Sequence, residues 1–145
     1  MKKLVILCSA ILVAASSVAF SATMQSLNKS QVIQELQAKT VTTVPLVRLN
    51  GEMINNPFSG YFDKNGQIKG QFATKPANDP QTDQGKWKVE ADGTLCNTWD
   101  HWLQNKPICV NVYKVNNALL FINHDSKKIE TIILDENIKS GNQLS

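Results

Sequence analysis

The sequence predicts a mainly β protein: an antiparallel sheet of about eight strands, curled on itself behind one N-terminal helix. Three observations carry that prediction. Runs of alternating apolar and polar residues are joined by the tripeptides Lys64-Asn65-Gly66 and Ala91-Asp92-Gly93, which suit three-residue hairpin loops. Cys96 and Cys109 fall at matching heights on neighbouring predicted strands. No segment between strands reads as a crossover helix, so sequential strands pair through hairpins rather than in parallel.

The first residues read as an export leader. Lys2 and Lys3 precede an apolar run from Leu4 to Ala15, and small residues follow, placing cleavage near 19–22 and leaving 22–145 as a single domain. That run falls short of the roughly 20 apolar residues a spanning helix needs, so the chain is not expected to cross a membrane. Leu7 before Cys8, with the apolar run continuing past it, does not suit lipid attachment. The expected location is the periplasm of a Gram-negative bacterium or the exterior of the cell. Basic residues number 15 against 12 acidic ones, and Lys2 and Lys3 belong to the leader. Arg48 is the only arginine and no basic run occurs, so nucleic acid is not an expected partner. Two cysteines remaining in an exported chain favour a disulfide over a metal site.

A helix is predicted over 28–39. Asn28 is a good N-cap with Gln31 at the third helical position, and Leu27 can staple against Val32. Val32, Ile33 and Leu36 form an apolar stripe, while Lys29, Glu35 and Lys39 face water. So short a helix must pack on something. Thr40 to Leu49 is rich in β-branched residues and reads as a first strand, bent or at a sheet edge because of Pro45. Gly51 to Pro57 reads as a loop. In the next hairpin, the Lys64–Gly66 loop pairs Phe58 with Phe72, Gly60 with Gly70 and Phe62 with Ile68, all on one face. Ala73 to Gln84, with two prolines and no candidate for burial, reads as a mobile loop.

The central strands follow from the turn at Ala91–Gly93. Closing it with Glu90 opposite Thr94 aligns Val89 with Leu95 and Trp87 with Asn97; a two-residue loop would mix charges into the apolar face. The next pair sets Cys96 opposite Cys109, and directly opposed residues lie within reach of a disulfide. Past the Asn116-Asn117 turn, Val112 meets Phe121, and a last strand from Ile129 to Leu134 sets Thr131 beside Phe121 and Ile133 beside Leu119. The tail after Asp135 is expected to fray. These strands describe an up-and-down, lipocalin-like barrel or curled sheet, with a two-sheet sandwich as the alternative. The inner face collects Phe58, Phe62, Ile68, Phe72, Trp87, Val89, Leu95, Trp99, Ile108, Val110, Val112, Leu119, Phe121, Ile129 and Ile133. Tyr113, Leu120, Ile122 and Ile132 share the outer face, where the helix is expected to dock; a helix plugging one barrel end is the alternative.

The run Gly85-x-Trp87, then Leu95-Cys96-x-x-Trp99, then Cys109 resembles a family of small exported proteobacterial proteins of unknown function that share a G-x-W, L-C-x-x-W and later C signature. Lys39-Thr40-Val41, Gly60-Tyr61-Phe62 and Asn65-Gly66 are similar to that family's opening pattern. The resemblance spans about Leu36 to His124. It implies an exported β-rich domain with a disulfide and supplies no catalytic residue.

The densest chemical cluster is Trp99-Asp100-His101-Trp102. Indole faces can stack on sugar rings or apolar ligands; alternatively Trp99 is core and Trp102 anchors a loop over the open end of the sheet. Asn97 and Asn123, both on the inner face, either sit near water at the barrel mouth or supply hydrogen bonds in a cavity. Gly60 and Gly70 either free volume there or allow a tight coil, and a filled core is the expectation for so short a barrel. His101 and His124 lack metal-ligand spacing, the cysteines are engaged, and no nucleophile motif is present, so neither metal, cofactor nor catalysis is expected. The chain therefore reads as a non-catalytic barrel binding a small apolar or saccharide ligand through Asn97, Trp99, His101, Trp102 and Asn123. The alternative is a protein-interaction module, an envelope inhibitor or a secreted host-directed factor, using the Asp100–Pro107 loop.

Overall fold

A computed structural model describes residues 24–44, 46–47, 53–54 and 56–145. The expected leader and Pro45 lie outside the described residues. In chain order the elements are helix α1 (Lys29–Leu36) and strands β1 (Lys39–Thr42), β2 (Leu46–Val47), β3 (Met53–Ile54), β4 (Phe58–Phe62), β5 (Gln67–Phe72), β6 (Thr82–Val89), β7 (Leu95–Trp99), β8 (Ile108–Val115), β9 (Ala118–Asn123), β10 (Ile129–Leu134) and β11 (Ile138–Ser140). Nine strands form one antiparallel sheet in the order β10-β9-β8-β7-β6-β5-β4-β1-β11, curled into a nearly closed barrel; β2 and β3 pair separately. Val44 N–H reaches Ile132 carbonyl across the remaining gap (3.1 Å). The barrel is observed and the sandwich is not.

The hairpin registers are those the turns dictate. Phe58 faces Phe72, Gly60 faces Gly70, and Phe62 faces Ile68. Val89 faces Leu95 and Trp87 faces Asn97. Gly66 and Gly93 take φ of 78° and 92°, the left-handed position that ends each loop and that a side chain would strain. Cys96 lies opposite Cys109 with Cα atoms 4.1 Å apart, and the two form a disulfide. Val112 meets Phe121, Thr131 meets Phe121, and Ile133 meets Leu119.

Several expectations are corrected, each where distant parts of the chain meet. β1 ends at Thr42 and is not an edge: it lies between β4 and β11. Met53–Ile54 pairs with Leu46–Val47 inside the expected Gly51–Pro57 loop. The tail after Asp135 is not frayed, because β11 pairs with β1 and Thr40 Oγ1 both donates to Gly141 carbonyl (2.8 Å) and accepts from Gln143 N–H (2.9 Å). Ile129 is 56% exposed rather than inward. A bulge between Ile129 and Thr131 shifts the register by one residue, and with a side-chain period of two the strand changes face. β6 begins at Thr82, so the Ala73–Gln84 loop ends earlier than expected and contributes a buried residue, Asp83.

α1 is also shorter than 28–39. Asn28 caps it: its side chain accepts from Gln31 N–H (3.0 Å) while the Gln31 side chain accepts from Asn28 N–H (2.9 Å). Two residues after Leu36 the chain turns into β1, with Ala38 at φ 60° and its N–H on Phe62 carbonyl (2.7 Å). Ahead of the helix, Leu27 N–H donates to Val112 carbonyl (2.7 Å). Tethered on both sides, α1 cannot reach the outer face of β8 to β10, and that docking is overturned. Val32 and Leu36 are instead wholly buried in the core that holds Val41, Phe62, Val89, Val112 and Leu119. The helix plugs one end of the barrel, and Tyr113, Leu120, Ile122 and Ile132 are left half-buried.

Candidate functional site

The site lies at the end opposite the helix, where β4, β6, β8 and β10 begin and β5, β7 and β9 finish. Alternation along β4, β5 and β7 sends Phe58, Phe72, Asn97 and Trp99 inward at that level. Gly60 and Gly70 sit between them without side chains. A Cβ on Gly70 would come within 2.6 to 2.7 Å of ring atoms of Trp102, Phe58 and Trp99, and one on Gly60 within 2.9 Å of Phe58. The paired glycines therefore make room for aromatic rings. Trp99 and Trp102 pack with centroids 4.8 Å apart, Phe72 lies 4.9 Å from Trp102, and Phe58 meets Trp99 edge-on at 5.7 Å.

Beside these rings is a cavity of about 490 Å³, so the expectation of a filled core does not hold. Its wall includes Phe58, Phe62, Phe72, Asn97, Trp99, Trp102, Val110 and Phe121, with Thr43, Asn56, Asp79, Glu130 and Thr131 among the polar lining residues. Ile129, turned outward by the bulge, contributes no side chain to this level of the core.

Trp102 belongs to the loop between β7 and β8, which leaves the sheet at Asp100. It is nevertheless only 5% exposed, and its indole N–H donates to Pro80 carbonyl (2.8 Å). The next residues, Leu103, Gln104 and Asn105, all adopt left-handed backbone with φ of 56°, 56° and 59°. For residues with a Cβ this costs roughly 1–2 kcal/mol each. Leu103, 52% exposed, forms the cavity's lip.

Asp83 holds this strained loop in place. Its side chain is 1% exposed, on the inner-face register of β6 shared by Gly85, Trp87 and Val89. One carboxylate oxygen accepts from the N–H groups of His101 and Trp102, both at 2.9 Å. The other lies 2.9 Å from Nδ1 of His101. Burial pushes the Asp83 carboxyl up, but the hydrogen bonds from Trp102 N–H and from the ring and N–H of His101 outweigh it and hold it below the ordinary 3.8. The hydrogen bond to Asp83, and then its charge, raise His101 above the ordinary 6.5.

Of the residues predicted to bind a ligand, Asn97, Trp99 and Trp102 line the cavity together. His101 lies outside that lining, its side chain 72% exposed and turned onto Asp83. Asn123 serves its own turn: Oδ1 accepts from the N–H groups of Asp125 and Ser126, and Nδ2 donates to Glu130 (2.8 Å). It therefore steadies a carboxylate of the cavity lining rather than lining the cavity itself. Asp83 escaped the sequence reading because two prolines and a polar run precede it. The signal was available, since the Trp87 and Val89 face extends back through Gly85 to Asp83 at period two.

Among the described residues no three His, Cys, Asp or Glu side chains group as metal ligands, and no helix is long and apolar enough to cross a membrane. No family model, curated protein or solved structure matches the chain.

Proposed function

We propose that this protein is a non-catalytic exported barrel that binds a small, largely apolar ligand in the cavity beside Trp99 and Trp102. The observation that carries the reading is the cavity itself. About 490 Å³ lies within the range of roughly 300–1,000 Å³ typical of ligand sites, and aromatic walls with a few polar groups are the usual lining. The preponderance of Phe and Trp favours an apolar ligand over a saccharide, which would need more hydrogen-bonding partners on the wall. The Cys96–Cys109 disulfide supports location in an oxidising compartment, the periplasm or outside the cell.

Titration with Nile red, an uncharged apolar fluorophore, tests this. Saturable one-site binding with a Kd of about micromolar or tighter is expected, weakened about tenfold or more by Trp102→Ala and unchanged by Lys86→Ala on the outer face. Absence of saturable binding to the folded protein would sink the proposal.

Exposed Leu103 on its left-handed turn favours a second reading, in which the Asp100–Pro107 loop recognises another protein. Leu103→Ser should then abolish co-purification of a partner from the envelope without unfolding the protein.

A further inference from the structure

We infer that the segment Asp100–Asn105 is a lid over the ligand cavity and that Asp83 is the positioning residue that latches it shut. The inference rests on the cavity reading above and concerns how that site opens.

The geometry has three parts. The segment supplies a wall and a lip of the cavity, Trp102 and Leu103, from a loop rather than from the sheet. Its backbone runs through three successive left-handed residues, a conformation that L side chains resist and that needs outside support. That support is concentrated at one buried carboxylate, whose oxygens take the N–H groups of His101 and Trp102 and the imidazole of His101, each at 2.9 Å. The remaining hydrogen bonds are Asp100 N–H on Gln84 carbonyl (2.9 Å) and the Trp102 indole on Pro80 carbonyl (2.8 Å), and the Trp102 ring also packs on Trp99 and Phe72. A lid whose polar support is concentrated at a single side chain can be loosened there without disturbing the sheet.

Such a latch responds to protons. The charged groups around Asp83 are His101 and Asp100 on the lid and Lys69 on β5. Asp83 is held below its ordinary 3.8, so its support is present above that value and is lost as pH falls through its folded-state value. His101 is raised above 6.5, so the ionic part of its contact is complete below 6.5 and is lost as pH rises through its folded-state value. His101 is largely exposed, and its neutral ring can still hydrogen-bond Asp83, so the alkaline loss is the smaller one. The lid is tightest between the two.

The test combines amide hydrogen exchange with Nile red binding on the full-length, folded protein. In Asp83→Asn the N–H groups of His101 and Trp102 should exchange about tenfold faster or more, while amides of β8 and β9 keep their protection. Nile red should dissociate correspondingly faster, and the acid limb of its affinity should disappear. His101→Gln should remove only the alkaline limb. Unchanged exchange at His101 and Trp102 in Asp83→Asn overturns the latch, whether or not Nile red binds. Faster exchange there, in a protein that never binds Nile red, leaves the latch standing and removes the cavity reading instead.

Discussion

At one end of the barrel the chain reverses within Lys64–Gly66, Ala91–Gly93 and Asn116-Asn117, and α1 lies across the opening with Val32 and Leu36 wholly buried. At the other end, Ala73–Gln81 and Asp100–Pro107 span the gaps between strands, and the core stops short around a cavity. Even the tryptophans divide this way. Trp87 at the closed end packs on Phe62 (5.3 Å) and donates its indole N–H to Asp63 carbonyl (2.9 Å) at the tight turn between β4 and β5. Trp102 at the open end donates to Pro80 in a neighbouring loop. Tight turns leave no chain to build a site; long loops do, at the expense of local backbone strain. Stability should therefore reside at the helix end and ligand response at the other.

The largest effect that would separate the two ends is expected from Leu36→Ala. It opens a void in the sealed core and should cost about 3–4 kcal/mol in denaturant unfolding, while Nile red affinity is retained wherever the protein stays folded. Equal loss of affinity would show that the ends are not independent. Reducing the disulfide comes next, at about 3 kcal/mol for a closed loop of this size. Matching thermal midpoints with and without reductant would remove it as a staple between β7 and β8.

Gly70→Ala addresses the open end. The new methyl would collide with three rings, and they should shift at a cost of about 1–3 kcal/mol, with a change in tryptophan emission and in Nile red affinity. A variant with wild-type fluorescence and binding would contradict the role given to Gly70. Smallest is Asn28→Ala, which removes the α1 cap and should lower stability by about 1 kcal/mol without touching the cavity. If it loosened Nile red binding instead, the helix would have to communicate with the mouth.

Much of this molecule could be read from the chain alone, and what could be read has a common cause. The Phe58–Phe72 and Trp87–Asn97 registers, the Cys96–Cys109 pair and the Asn28 cap each depend on residues close in sequence. There, turn stereochemistry and the period-two alternation allow one arrangement and penalise a slip by exchanging every side chain between faces. Trp99 and Asn97 were accessible for the same reason, being large or polar groups on a face already defined, whereas Trp102 stood out only as a large ring close to them in the chain. Tertiary structure alone decided that α1 would plug the barrel, that β11 would return to β1, that the bulge would turn Ile129 outward, and that Asp83 would receive the lid. Each joins segments far apart in the chain or depends on how the sheet closes. Their energies come from a geometry that no local pattern encodes: a carboxylate such as Asp83 is a surface residue until the fold brings three donors to it.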